Sequence, residues 1–441
     1  MFACSLVGSA LGQNPQSFEY EYRPAPVDNP LKGLVPYQHP AQGRFPHSME
    51  FNYLPLSKLL VGERKYDFSP LEKMLNDIKS RNNQSVVRVF VEYPGKSGCI
   101  PEYLLERGLH VERYKKTGNE PFEDAIIETP DYENKDLRRA LQDFIAEFGR
   151  RYDGDPRIGY ITAGLLGAWG EWHTYPRSEL FASKKVQSEV MDAYAAAFRK
   201  TPVLLRYPAG DDDYAYAKTS DRPFGYHDDS FAFATLDTGK EDDDWFFVPK
   251  LKAAKSLKVW QKYPIGGEIR PEVWGCCFDP DPCTRPDQQF GECRDLTHVT
   301  WLMDTGMVSK PASAARKENA LREVRKMGYE FYVTSMKTEG KQVVLNIKNT
   351  GIAPFYHDGW KVQLGVVGDD DNSPRVIPTD WELTKIQPGQ SREFAHELPV
   401  DSASRRVFLR VPNRMDGGRP LRFANKSQDA DYEGWMSLHG K

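Results

Sequence analysis

The sequence predicts an α/β chain, a (β/α)8 barrel followed by a C-terminal antiparallel β-sandwich. Three observations predict it. Over residues 17–327, eight short apolar or β-branched runs are mostly separated by segments of helical periodicity. Polar and charged residues gather at the C-terminal ends of those runs, where barrels of this class build their sites. From residue 328 onward the texture changes to alternating strands with turn residues between them.

Each element can be justified in order. Residues 17–30 are polar and Pro-rich, an extended lead-in. Runs 33–37 and 49–56 are strands one and two. Ser69 and Pro70 read as the N-cap and first position of a helix, with Leu71, Met74, Leu75 and Ile78 at helical spacing. Run 85–93 is strand three. The insertion 95–133 is polar and shows no clear period. Leu137, Leu141, Phe144, Ile145 and Phe148 mark an amphipathic helix. Strand four starts at Ile158. Val186, Val190, Met191, Tyr194, Ala197 and Phe198 mark the next helix. Runs 202–207, 224–229, 257–268 and 298–303 supply strands five to eight, and a helix over 312–327 closes the unit. Runs 329–334, 342–347, 361–367 and 406–411 are the sandwich strands. The acidic loop 368–374 reads as a solvated turn, with a calcium loop as the lesser alternative.

Composition bounds the function. The chain has 441 residues, 39% of them hydrophobic, and a net charge of -4. That excess is not basic, so nucleic acid is not implied. No apolar run approaches the roughly 20 residues that span a bilayer. The 22 Tyr and 9 Trp fit a sugar-binding protein, and also any large core. Residues 1–16 resemble the later half of a secretory signal without its basic start, which points to a secreted, periplasmic or cell-surface protein. Cys276, Cys277, Cys283 and Cys293 cluster in a Pro- and Asp-rich segment that cannot build a core alone. Disulfides are expected there, with their pairing open; Cys99 is free or bridged to the cluster.

The most informative stretch is 158–173. It begins as a buried strand and ends in Glu171, flanked by Trp169 and Trp172, with Gly164, Gly167, Ala168 and Gly170 before it. A carboxyl desolvated by indole rings is fitted to general acid chemistry, and indole faces stack on sugar rings. The bland alternative is a core strand whose terminal Glu pairs with an Arg. A second carboxylate, Glu268, follows two glycines at the end of strand seven. Two carboxyls across a barrel mouth are what glycoside hydrolysis needs. Other strand-end residues fit a sugar pocket: Arg88 and Glu92, Arg206 and Tyr207, His227 with Asp228 or Asp229, and His173. Of the last pair Asp228 is the candidate taken forward. No phosphate-binding Gly-rich loop, G-x-S-x-G elbow or H-E-x-x-H occurs, and a His173/His227/Asp228 metal centre lacks diagnostic spacing. No cofactor or metal is expected.

These features resemble clan A of the glycoside hydrolases, particularly its galactosidase-like members, whose helix entry resembles residues 66–69. The resemblance implies a retaining TIM-barrel hydrolase. It implies Glu171 after strand four as acid/base, Glu268 on strand seven as nucleophile, and Trp301 on strand eight as a stacking aromatic. The clan places Asn before its acid/base, where this chain has Gly170. Phrases 29–37, 167–172, 224–229 and 266–268 also resemble a group of secreted bacterial proteins with a barrel of unknown function and a β-sandwich. The implied partner is a poly- or oligosaccharide. The alternative is a non-catalytic carbohydrate-binding or cell-surface protein on the same barrel.

Overall fold

The computed structural model describes residues 16–37, 44–115, 124–240, 243–309, 311–368, 372–399 and 405–439. Eight parallel strands follow one another around a nearly closed sheet: β1 (Gly33–Val35), β2 (Met49–Pro55), β3 (Gln84–Phe90), β4 (Ile158–Thr162), β5 (Val203–Leu205), β6 (Gly225–Phe231), β7 (Ile265–Ile269) and β8 (Trp301–Met303). β1 pairs with β8, and a parallel bridge from Tyr37 to Phe51 brings it beside β2. Chain order and spatial order therefore coincide around the ring, the arrangement of a TIM barrel.

The strands are buried on both faces, which is why β3 and β4 are legible as near-continuous apolar runs. Inside the ring, Phe51, Tyr160, His227 and Trp301 pack with centroids 5.6–6.4 Å apart in the pairs that touch. Gly266 makes room for this filling. A Cβ there would lie 2.2 Å from the Trp301 ring.

The outer layer holds α1 (Ser69–Ser80), α2 (Lys135–Tyr152), α3 (Lys184–Ala197), α4 (Phe247–Ala253), α5 (Phe290–Thr297) and α6 (Ala314–Arg325). Leu137, Leu141, Phe144, Ile145 and Phe148 are buried on one face of α2, and Asn134 caps it by accepting from the Asp136 and Leu137 amides. Among the described residues no helix follows β1 or β5. Two expectations need correction. Ser69 is the first residue of α1 rather than its cap; Asp67 accepts from the Ser69 amide instead. Strand seven starts at Ile265, because Val259–Gln261 forms a 3-10 turn. The insertion after β3 is structured, with a helix Glu102–Glu106 and an antiparallel pair Val111–Lys115 and Ile126–Pro130.

Beyond residue 328, β9 (Phe331–Glu339), β10 (Gln342–Asn349), β11 (Gln363–Val367), β12 (Arg375–Pro378), β13 (Ser391–Glu397), β14 (Arg406–Arg410) and β15 (Met436–Ser437) build two four-stranded antiparallel sheets. Val333, Leu345 and Phe394 from one share a core with Leu364, Val407 and Leu409 from the other. The fourth strand of the first sheet is Gln16–Glu19, which pairs with β9. This unit packs on the N-terminal end of the barrel. The Tyr329 hydroxyl donates to the Pro30 carbonyl, and Tyr160 meets His357 edge-on at 4.9 Å. The opposite end is left for the site.

The cysteine cluster forms one disulfide among the described residues, Cys276–Cys283; Cys99, Cys277 and Cys293 are buried thiols. The wider cross-linking expected of the cluster is absent because Cys277 and Cys293 pack into the apolar layer instead. Residues 1–15, and Asp369, Asp370 and Asp371 of the acidic loop, lie outside the described residues. No described helix is long and apolar enough to cross a membrane.

Candidate active site

The chain leaves β4 through a tight turn that carries Glu171. Leu165, Gly167, Trp169, Gly170 and Trp172 all adopt positive φ, from 56° to 78°. Backbone passes so close at Gly167 that a Cβ would sit 2.4 Å from the His173 carbonyl oxygen. At Gly170, with φ of 71°, a Cβ would lie 2.9 Å from the Gly164 Cα. An Asn cannot occupy that position without shifting the loop. The turn is pinned from several sides. The Trp169 amide donates to the Glu92 carbonyl (3.1 Å), the Gly167 amide to the Tyr132 hydroxyl (2.8 Å), and the Trp172 indole to the Ala163 carbonyl (2.7 Å).

Glu171 arrives at the barrel mouth 9% exposed. The Arg88 guanidinium, buried on β3, donates from Nη1 to Glu171 Oε1 at 2.8 Å and to the Tyr53 hydroxyl at 3.0 Å. Its Nε donates to Thr162 Oγ1 at 2.8 Å, and its Nη2 lies 3.1 Å from His227 Nε2. Burial, then Arg88, holds His227 well below the usual imidazole range, so the ring is neutral and its Nε2 accepts from the guanidinium.

Glu268 ends β7 at 8% exposed. Burial and, second, the Glu171 carboxylate push its carboxyl well above the ordinary range; Arg88 opposes them. The side chains of Tyr37, Tyr53 and Tyr93 form an aromatic rim beside the two acids, with centroids 5.5 Å and 6.0 Å apart.

On β6, His227 and Asp229 share the inward face. Arg206 Nε donates to Asp229 Oδ2 at 2.5 Å. Burial works to raise Asp229, but the Arg206 guanidinium outweighs it and holds the carboxyl below its usual value. Asp228 points the other way. It accepts from Thr235 Oγ1 and the Ser230 amide, and burial pushes its carboxyl up to about 7. Asp229, not Asp228, therefore stands at the mouth. Strand alternation decides this once His227 is inside.

Other candidates are placed as follows. Trp169 and His173 are partly exposed at the mouth, 6.1 Å apart. Tyr207 stacks on Tyr216 at 4.2 Å, with Arg206 3.8 Å above its ring. Trp172 and Trp301 are not open stacking walls. The first is 2% exposed and bonded into the turn, and the second is fully buried inside the ring. Glu92 is 1% exposed and spends its oxygens on Thr129 Oγ1 (2.5 Å) and the Tyr132 hydroxyl (2.6 Å), bracing the turn rather than lining the mouth. Tyr53 and Thr162 are members that the sequence reading missed. Their inward parity with Phe51 and Tyr160 was the available signal.

Comparison with known proteins adds the following. No protein-family model matches this chain, and no curated protein matches it. Among solved structures it is similar to endo-glycoceramidase II from Rhodococcus sp., at 10% identity and a TM-score of 0.41, over 86% of this chain and 100% of that one. It is also similar to a family 39 glycoside hydrolase from the gut symbiont Bacteroides cellulosilyticus WH2, at 12% identity and 0.38, over 80% and 79%. A β-galactosidase from the psychrophilic Marinomonas ef1 is similar at 9% and 0.37, over 67% and 59%.

Glu171, His173 and Asp229 bring one donor atom each within 4.8 Å of one another. Their hydrogen bonds do not suit a cation. Arg88 and Arg206 already engage the two carboxylates. The Tyr175 amide donates to His173 Nδ1 at 3.2 Å, which leaves the proton on Nε2, the nitrogen 3.9 Å from Glu171 Oε2.

Proposed function

We propose that this chain is a glycoside hydrolase acting on a poly- or oligosaccharide by a two-carboxylate retaining mechanism. The observation that carries the reading is the meeting of two buried carboxyl groups at one barrel mouth, Glu171 on the turn after β4 with Arg88 2.8 Å from its Oε1, and Glu268 on β7, which burial raises above the ordinary range. The clan resemblance implies Glu171 as acid/base and Glu268 as nucleophile; the Arg88 ion pair on Glu171 supports the opposite assignment, which we propose here. Glu268 donates its proton to the glycosidic oxygen as the bond to the anomeric carbon breaks. The Glu171 carboxylate, oriented by Arg88, attacks that carbon and forms a glycosyl ester. Water then gives a proton to Glu268 and attacks the anomeric carbon, which releases Glu171. His227, Asp229, Arg206 and His173 hydrogen-bond the sugar, and Trp169 supplies its stacking face.

The test is turnover of aryl glycosides and polysaccharides by wild type, Glu171→Gln and Glu268→Gln. Collapse in both variants, still folded, supports the pair. Azide rescue then separates the roles. Glu268→Ala should yield a glycosyl azide of retained configuration, and Glu171→Ala one of inverted configuration. A second reading, a binding protein without catalysis, is favoured by the buried ion pair that already engages Glu171 Oε1. It predicts saccharide binding with no turnover on any substrate. In either reading we assign the chemistry to the barrel that follows the lead-in strand Gln16–Glu19, which itself pairs with β9. Residues 328–441 form a bracing β-sandwich, and the protein works outside the cytoplasm, which its disulfide suits.

A further inference from the structure

A shallow recess, open to solvent, lies between the ends of β5 and β6 and the start of α4, and includes Asp229 of the barrel mouth. Arg206, Tyr207, Asp228, Asp229, Ser230, Trp245 and Lys250 are among its lining residues. Arg206 is 91% buried by its 9% exposure, and its Nη1 is buried without any hydrogen-bond partner. A guanidinium has five donors and no acceptor, so this nitrogen calls for an oxygen that the described protein does not supply. Lys250 adds a second cation, with its Nζ 5.9 Å from the Tyr207 ring that Arg206 also covers. Trp245 stands at the recess with 39% of its surface exposed, a free face for a pyranose ring.

Donor-only groups are best matched by an acceptor-only one. A neutral hydroxyl carries its own proton, which would have to find another acceptor here. Asp229 is already neutralised by Arg206, and Lys250 bonds Asp213 Oδ2 at 3.2 Å. Asp228, also in the lining, is bonded by the Ser230 amide and Thr235 Oγ1 and pushed up to about 7, so these acids repel an anion least below that pH. We propose that this recess is a subsite for a sugar unit bearing an oxyanion, a uronate carboxylate or a sulfate ester, whose oxygen accepts from Arg206 Nη1 while its ring rests on Trp245. The proposal rests on the carbohydrate reading of the neighbouring acids and narrows the substrate class to acidic glycans.

The experiment is calorimetric titration of the full chain with sets of methyl glycosides that differ only at C6: the hexoside, the uronide and the 6-sulfate. Wild type should bind one acidic member about tenfold tighter than the hexoside at low salt, and the uronide and sulfate arms identify which. Arg206→Lys, which keeps the charge beside Asp229, and Lys250→Met should each erase most of that preference. Trp245→Ala should weaken acidic and neutral members alike. Equal binding of acidic and neutral members, or a preference untouched by both cation variants, overturns the proposal. Turnover of neutral glycosides with no acidic preference sinks it and leaves hydrolysis standing. Acidic preference without turnover on any substrate does the reverse. No binding by any member overturns both.

Discussion

At the scale of single residues, the site turns on which of two adjacent acids faces inward. Asp229 pairs with a buried guanidinium, and Asp228 is bonded to a serine amide and a threonine hydroxyl. The two should respond differently to substitution. Asp229→Ala leaves Arg206 buried and unpaired, and should cost about 3–5 kcal/mol in urea denaturation at pH 7. Asp228→Asn keeps the acceptor for the Ser230 amide and puts an NH2 donor opposite Thr235 Oγ1, which then accepts, and should cost about 1 kcal/mol. Equal losses would remove the distinction. The sequence pointed to this strand end and this dipeptide. It did not settle which Asp, because that required knowing that His227 lies inside the ring. Trp172 and Trp301 were misplaced for a related reason. An indole at a strand end serves equally as a wall or as filling, and only depth tells them apart.

At the scale of elements, the eight strands were legible because burial on both faces enforces continuous apolar runs. What did not show was the fit between neighbours. Gly266 on β7 exists for Trp301 on β8. Gly266→Ala should destabilise the protein by about 3 kcal/mol through overpacking. Trp301→Phe shrinks the ring and removes an indole nitrogen that has no partner, so the double variant should recover part of that loss. Strict additivity in thermal unfolding would speak against this account. The turn after β4 makes a second case. Glu92 holds it through the Tyr132 hydroxyl and through its own carbonyl. Tyr132→Phe removes the partner of the Gly167 amide and loosens Glu171. On the proposed mechanism kcat should fall about tenfold with little change in KM. A KM effect alone would place Tyr132 in binding instead. Glu92 was read as a sugar ligand because it follows strand three at the spacing of Arg88. The strand stops at Phe90, and the alternation that would have aimed it at the mouth stops with it.

For the whole molecule, buried acids set how stability follows pH. Burial pushes Glu92 up to about 7, against the bonds from Thr129 and Tyr132, and pushes Asp304 up to about 6. A carboxyl whose folded value is raised favours the fold fully below its unfolded value near 4, and that contribution is lost as pH climbs through the folded value. These two carboxyls should therefore favour pH 5 over pH 8, while the buried His227 and His357, whose folded values are lowered, favour the higher pH. Glu92 alone accounts for up to about 3 kcal/mol of the difference. Urea midpoints of wild type and Glu92→Gln across that window check it; a wild-type midpoint that does not fall relative to the variant as pH rises contradicts it. The two-part architecture was legible at the change of texture near residue 328. The return of the lead-in was not, since a polar four-residue strand carries no period that reveals its partner.

That return has a consequence for synthesis. The Tyr20 hydroxyl donates to the Leu438 carbonyl, 418 residues further along, and Gln16–Glu19 lies along β9. On a ribosome the lead-in leaves the exit tunnel long before either partner is made. It must wait, extended and exposed to proteases, while the whole ring is translated. Its docking is then among the last events of maturation. Protection of this segment from limited digestion would report a finished molecule rather than a growing one.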